Sequence, residues 1–389
     1  MSLTFIHTAD WQLGKPFARV EDVAKRTLLQ QERIEVLRRL GQVAREKAAK
    51  FVVVAGDLFD STSPTKPTVT DVCSVIGQMG VPVYAIPGNH DHGSVGSVWT
   101  QPFFEQSRSE LAPQFHILLK AAPVELADAV LLPCPLLRRH EASDPMAWLR
   151  TLDLASESWG EKPRIVIAHG SVQGFGSQDD DEEAGHGGAN FLDLSRLDAE
   201  AIDYIALGDW HGMKQVGPKA WYSGTPELDR FPKGEGNAPG HVLCVTAQRG
   251  AAPLVEPVRT ARFGWHQIEH QFHEDADIER CLAEVTTLLE GRSGSDLLRL
   301  ELTGMLGMVA MTRLEQLLDS WQARLLRLKL ANQTQLAPSA DEMADLTRRV
   351  EDPLIARVAS RLMDQASGEG DQAVVARTAL RELHAACAG

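Results

Sequence analysis

The chain is short of several things. Its five cysteines (Cys73, Cys134, Cys244, Cys281, Cys387) are widely scattered, which argues against a CxxC metal knuckle or a dense disulfide framework and fits a reducing, cytoplasmic setting. No apolar run approaches the roughly 20 residues that span a bilayer. The N-terminal MSLTFIHTADWQLG meets an aspartate by residue 10, with no basic segment followed by an apolar one. Neither a membrane span nor a secretory signal is expected. Positive charge is scarce too: 39 Lys and Arg stand against 53 Asp and Glu, a formal net charge of −14. Such a chain does not grip nucleic acid by bulk charge, which leaves only a local basic groove for that purpose. G-x-x-x-x-G-K-[ST] is missing, so no P-loop ATP site is expected, and any ATP dependence must come from a partner. G-x-S-x-G is missing as well, with GRSGS at 291–295 a near miss in a turn.

What is present is an α/β pattern. A single core stops growing at about 250–300 residues, so 389 residues imply one large domain with additions. Up to residue 261, short β-branched runs alternate with amphipathic stretches. Strands are expected at 3–7, 51–55, 81–86, 130–132, 164–168 and 204–207, a long helix at 23–48, and antiparallel strands near 219–223, 241–246 and 254–259. Residues 262–333 read as a smaller strand–helix–strand–helix–strand unit. A helical tail follows at 340–389, with helices expected at 341–365 and 371–386 around a GEG break. In the first, Leu346, Val350, Leu354, Val358 and Leu362 recur at four-residue intervals, an apolar face for its own domain or for a partner's helices.

Five polar motifs each lie just past the end of a predicted strand: TADWQ at 8–12, GDLFD at 56–60, GNHD at 88–91, AHG at 168–170 and GDWH at 208–211. Strand ends of one sheet face one edge, so residues scattered over 200 positions can converge on one crevice. Carboxylates, imidazoles and one amide oxygen suit divalent ions such as Mn²⁺, Zn²⁺, Fe²⁺ or Mg²⁺. The histidines at 266, 270 and 273 do not all share a strand face and are read as solvated or packing residues. The DDDEE run at 179–183 and His186 are read as parts of a solvated loop.

These motifs, in this order, resemble the pattern of the calcineurin-like metallophosphoesterases: D-x-H, G-D-x-x-D, G-N-H-D/E, H and G-H-x-H. HTADWQLG, IPGNHD and WYSGTPELDRF at 221–231 look like the SbcD/YhaO branch of DNA repair exonucleases. The resemblance implies a layered mixed-sheet sandwich, a small α/β capping domain and two divalent ions, Mn²⁺ or alternatively Mg²⁺. By position, Asp57 would bridge the ions. Asp10, Gln12 and His211 would complete one ion's ligands, and Asn89, His169 and Asp209 the other's. His90 would contact the scissile phosphate and protonate the leaving oxygen, with Asp91 orienting it from behind. The resemblance also implies a DNA substrate, an SbcC-like coiled-coil SMC-type ATPase as partner, and a homodimer.

Two positions depart from the pattern: Gln12 and Asp209 each stand where the family has histidine, one on each expected ion. Exchanging nitrogen for oxygen ligands moves preference towards Mn²⁺ or Mg²⁺. The site is read as retuned but active. The alternatives are a catalytically weakened DNA-end-binding or scaffold subunit, and a metallophosphatase acting on nucleotides or small phosphoesters. Candidate DNA contacts are Lys15, Arg138, Arg139, Lys214, Arg230 and Lys233, near the motif loops. From residue 262 onwards 14 Lys and Arg face 20 Asp and Glu, a balance of −6 that leaves −8 on the large domain. Neither part is a basic module, which favours substrate delivery by a partner.

Overall fold

The computed structural model describes residues 2–154, 156–172, 189–231, 238–289, 291–292, 294–338, 340–368 and 370–388. They divide into two compact units, Met1–Phe263 and Gly264–Gly389. The acidic run at 179–183, His186 and Lys233 lie outside the described residues. The first unit runs β1 (Ser2–Thr8), α1 (Val23–Glu46), β2 (Val52–Ala55), α2 (Lys66–Gly77), β3 (Val83–Ile86), α3 (Pro102–Leu111), β4 (Phe115–Ile117), β5 (Val124–Glu125) and β6 (Val130–Cys134). It continues through β7 (Arg164–His169), β8 (Ser171–Val172), β9 (Phe191–Leu192), β10 (Tyr204–Gly208), β11 (Lys214–Gly217), β12 (Ala220–Tyr222), β13 (His241–Gln248) and β14 (Leu254–Arg259).

Two six-stranded sheets result, ordered β14-β13-β1-β2-β3-β4 and β11-β12-β10-β7-β6-β5. Strand alternation makes them a sandwich. Phe5, Val53, Ala55, Leu131, Ile165, Ile167 and Ala206 share one core between the sheets. Their neighbours Ile6, Val52 and Val54 turn outward against Val36, Leu37, Leu40 and Ala44 of α1 and against α2. Val130, Leu132, Val166 and Leu207 serve the opposite outer face. Strands buried on both faces read in sequence as unbroken apolar runs, which is why these were legible. His7 ties the layers together. Its Nε2–H donates to the Leu207 carbonyl at 3.2 Å and its Nδ1 accepts from the Tyr204 hydroxyl at 3.0 Å.

The mixed α/β sandwich is as expected, with two differences in detail. β12 pairs parallel to β10 and antiparallel to β11. The chain runs out along β11 at the sheet edge and turns back, so β12 follows β10's direction and is not antiparallel to it. Helix α2 was hidden by its own side chains. Its buried face is rich in β-branched Val69, Val72, Val75 and Ile76, which reads locally as strand, although Thr65 caps it by accepting from Thr68 N.

The second unit holds β15 (Gly264–Phe272), α4 (Asp277–Leu289), β16 (Asp296–Leu306), α5 (Met308–Arg324), β17 (Arg327–Asn332), β18 (Gln335–Leu336), α6 (Ala340–Thr347), α7 (Pro353–Ala366) and α8 (Asp371–Ala388). β15, β16 and β17 are parallel, and Ile268, Leu298, Leu300 and Leu302 pack on Val285, Leu314 and Trp321 of the crossover helices. The helix expected over 341–365 is two helices. Pro353 opens α7 and Asp352 caps it, because proline is tolerated in a first turn but not in a helix interior. The break divides the expected apolar face. Leu346 is buried with Ala359 and Leu380, whereas Val350, Leu354 and Val358 are exposed. Arg381 of α8 donates to the carbonyls of His273, at 2.6 Å, and Met305.

Candidate metal centre

Parallel β1, β2 and β3 in one sheet and β7 and β10 in the other end at the same edge of the sandwich. The loops leaving them are laced together: Asp10 N donates to Gly56 O at 3.1 Å and Gln12 N to Asp57 O at 2.9 Å. Asp10, Gln12, Asp57 and Asp209 all have positive φ (53°, 43°, 53° and 103°), so four of the expected metal residues sit in backbone that L-residues rarely adopt. Such outliers gather where surrounding structure holds functional groups in place. Arg33 does much of the holding. Buried in α1, it donates to the carbonyls of Asp10 (3.1 Å), Trp11 (2.9 Å) and Glu227 (2.7 Å).

Asp10, Asp57 and His169, all buried, bring one ligand atom each within 4.8 Å of one another. Asn89 Oδ1 lies 2.9 Å from His169 Nε2, Asp57 Oδ1 at 3.6 Å and Asp209 Oδ1 at 3.8 Å. The His169 Nδ1–H donates to the Ala55 carbonyl at 2.8 Å, which fixes the ring and turns Nε2 towards the acids. Only glycine fits beside them: a Cβ on Gly56 would lie 2.2 Å from His169 Nδ1, and one on Gly88 would lie 2.1 Å from Asp57 Oδ1. The cluster carries excess negative charge. Burial alone would lower the His169 pKa, yet Asp57, Asp10 and Asp209 outweigh it and push it up to about 9. Burial, Asp57 and Asp209 together hold the Asp10 carboxyl well above the usual range, against the pull of His169. Carboxylates, an imidazole nitrogen and an amide group crowded in a net-negative buried site fit a divalent cation.

On the other side of Asp10 the arrangement differs. Lys15, 23% exposed at its side chain, donates to Gln12 Oε1 at 2.6 Å and to Asp229 Oδ2 at 2.9 Å, with Asp60 Oδ1 at 3.7 Å. His211 Nδ1 meets Asp229 Oδ1 at 3.0 Å, while its Nε2 faces Gln12 Nε2 at 3.3 Å and Arg230 Nη2 at 3.2 Å. Burial lowers the His211 pKa, with Arg230 adding to the effect. Burial works against an ionised Asp229, but His211, Lys15 and Arg230 hold its carboxyl well below the usual range.

His90 sits beside the cluster: its backbone N donates to Asp57 Oδ1 at 2.9 Å, and its Nδ1–H donates to the Asp60 carbonyl at 3.0 Å. This corrects the role expected of Asp91. The Asp91 carboxylate takes the backbone N–H groups of Gly88 (2.7 Å) and Phe59 (3.0 Å), so it braces two loops, and the imidazole is oriented by Asp60. Burial and the Asp57 charge push Asp91 up to about 7, against those two bonds. Of the basic residues proposed for DNA, Lys15 and Arg230 are partly exposed and pair with Asp229 of the site. Arg138 and Arg139 are exposed, and the Lys214 ammonium lies 5.5 Å over the Trp210 ring. His266 and His270 pair with Asp296 (2.8 Å) and Glu284 (3.2 Å) respectively and form no common cluster. Asp60, Arg33 and Asp229 carry no role predicted from the sequence; Asp60 and Asp229 lie inside the GDLFD and WYSGTPELDRF motifs, the local signal for them.

A two-sheet α/β sandwich with acids and imidazoles gathered at its strand ends presents a candidate divalent-metal site. The sequence matches the calcineurin-like phosphoesterase family over residues 3–238, more than half the chain, and the protein belongs to that family. It is thereby a metal-dependent phosphoester hydrolase by family, of a kind that binds divalent metals. Two solved structures are loosely similar. One is 14% identical with a TM-score of 0.41, covering 67% of this chain and 100% of its own. The other, a dimetal phosphatase from Danio rerio, is 13% identical with a TM-score of 0.36, covering 65% of this chain and 98% of its own. No helix among the described residues is long and apolar enough to cross a membrane.

Proposed function

We propose that the protein is a metal-dependent DNA phosphodiesterase, an exonuclease and endonuclease subunit that works with an SbcC-like coiled-coil SMC-type ATPase in the cytoplasm, as a homodimer. The observation that carries the chemistry is the convergence of buried Asp10, Asp57 and His169 with half-buried Asn89 and Asp209 on one cluster, with His90 alongside. A bound divalent ion, Mn²⁺ by its oxygen-rich ligand set, supplies Lewis-acid stabilisation of phosphoryl oxygens and lowers the pKa of a coordinated water. The chain's own residues do the rest. Asp57, Asp10, Asn89, His169 and Asp209 would hold the ion. The Asp60 carbonyl holds the His90 Nδ1–H and so aims Nε2 outward; in the imidazolium form Nε2–H would contact the phosphate and pass its proton to the leaving oxygen, leaving the neutral imidazole with its proton on Nδ1. A phosphodiester is a poor electrophile with a poor leaving group, and these two devices address its two difficulties.

The DNA substrate is supported by the sequence motifs alone. The test is Mn²⁺-dependent cleavage of single-stranded and recessed DNA ends by wild type and His90→Ala, alongside bis-p-nitrophenyl phosphate. Equal cleavage by both proteins would refute the role of His90. Turnover of the small diester with inertness towards every DNA would instead favour a phosphatase acting on small phosphoesters. A second reading, a DNA-end-binding subunit with little hydrolysis, is favoured by Gln12 and Lys15, whose contact closes part of the site. It predicts DNA binding without cleavage. Pull-down of the ATPase by the full chain and by a chain lacking residues 340–389 tests whether the tail carries the partner.

A further inference from the structure

The family's ligand pattern provides for two ions, and the two halves of this site do not treat them alike. On the His169 side Asp10, Asp57 and His169 each bring a ligand atom within 4.8 Å of one another, carboxylate oxygens and an imidazole nitrogen around one point, as a cation requires. On the His211 side the two ligand atoms peculiar to it, Gln12 Oε1 and His211 Nε2, are each taken by N–H groups of neighbouring side chains. An atom 2.6 Å from the Lys15 ammonium must be an acceptor, so the Gln12 amide is oriented with Oε1 on Lys15 and its NH₂ towards His211. Asp229, which can only accept when ionised, takes the His211 Nδ1–H, so the Nε2 lone pair is the acceptor for Gln12 Nε2 at 3.3 Å and Arg230 Nη2 at 3.2 Å. The charges close as well: the Lys15 ammonium is paired with Asp229 at 2.9 Å and has Asp60 at 3.7 Å.

From this geometry we infer that the protein holds a single divalent ion, among Asp10, Asp57, Asn89, His169 and Asp209, and that the Lys15 ammonium occupies the functional place of the second. Histidine at position 12 would turn a nitrogen lone pair inward as a ligand. Glutamine instead offers a carbonyl that Lys15 caps and an amide that caps His211, so one substitution silences two ligands. Asp229 completes the device by fixing both Lys15 and the His211 tautomer. The loss of the second ion's positive charge is offset by a covalently attached cation, which cannot be removed by chelation. The inference rests on the assignment of the site as a metallophosphoesterase centre, but it concerns ion number and not turnover.

The test uses the full chain, stripped with chelator and titrated with Mn²⁺ alone. Bound metal is counted by mass spectrometry after gel filtration, and the electron paramagnetic resonance spectrum is recorded. The wild type is expected to bind one equivalent, with the six-line spectrum of an isolated Mn²⁺. The double variant Gln12→His, Lys15→Met is expected to bind two, with the broadened spectrum of an exchange-coupled pair. Two equivalents in the wild type, or none, overturn the inference, as does a folded double variant that still binds one. Should the double variant not fold, the wild-type count decides alone. One bound ion without hydrolysis of any phosphodiester would sustain this inference while removing the nuclease reading, so the two fail separately.

Discussion

Replacing Arg33 by methionine should loosen the whole metal edge from a position that binds no ion. The guanidinium is buried and donates to three backbone carbonyls, those of Asp10, Trp11 and Glu227. Each carbonyl left unpaired in the interior costs about 1–3 kcal/mol. The three share one donor group, and those of Asp10 and Trp11 one loop, so their costs overlap, and the expected loss is about 3–5 kcal/mol, the range seen when one partner of a buried ionic network is removed. Arg38→Met is the control: its contact with Glu35 is 3.5 Å long between two side chains that are nearly half exposed, and its loss should change stability by under about 0.5 kcal/mol. Urea unfolding gives the two free energies. Hydrogen exchange reports on the loop itself, where Gln12 N and Leu13 N are bonded to Asp57 O and Leu58 O. Arg33→Met should speed exchange at 8–13 more than in α8. A loss below about 1 kcal/mol with unchanged protection at 8–13 would refute the assignment of Arg33 as the residue that holds this loop.

Four further outcomes are expected. Gly88→Ala should abolish Mn²⁺ binding, measured by calorimetry, because the new methyl would lie 2.1 Å from Asp57 Oδ1; unchanged affinity would contradict the packing described. His90→Ala should lower the turnover of bis-p-nitrophenyl phosphate by about 10²–10⁴-fold with Mn²⁺ affinity retained. Glu227 is raised to about 7, chiefly by burial and also by Glu32, against bonds from Arg262 N, Phe263 N and Arg39. Its folded pKa lies above the unfolded value of 4.5, so the stability it contributes is complete below pH 4.5 and is lost as pH rises through 7. That loss is on the order of 3 kcal/mol, and a stability profile between pH 5 and 8 that is equally steep in Glu227→Gln would exclude it. DNA binding by the isolated chain should be weak and fall steeply with salt, as net charges of −8 and −6 on the two parts of the chain allow only local phosphate contacts; fluorescence anisotropy showing tight binding at high salt would contradict this.

The strands and the ligand loops were legible because their signals are local. Val52–Ala55 and Arg164–His169 are apolar on both faces, and each is followed by a motif whose residues lie at the sheet edge. The expected role of Asp91 was wrong because sequence adjacency to His90 says nothing of where a carboxylate points, and backbone N–H groups of Gly88 and Phe59 capture it. The inward pairing of Lys15 was not legible for a similar reason. Its partner Asp229 is 214 residues away, and no local pattern announces that the ammonium turns inward. The tail face was misread through Pro353, whose place at the start of a helix looks from periodicity alone like a continuation.

Nucleotide release from a labelled recessed duplex decides whether this metal cluster cuts phosphodiester bonds in DNA. The purified full chain with Mn²⁺ should release nucleotides, and Asp57→Asn, which alters the residue placed at the heart of the cluster, should reduce that release by at least about 10²-fold while remaining folded. Release at the same rate by both proteins, or none by a wild type that has been shown to hold its ion, would contradict the account.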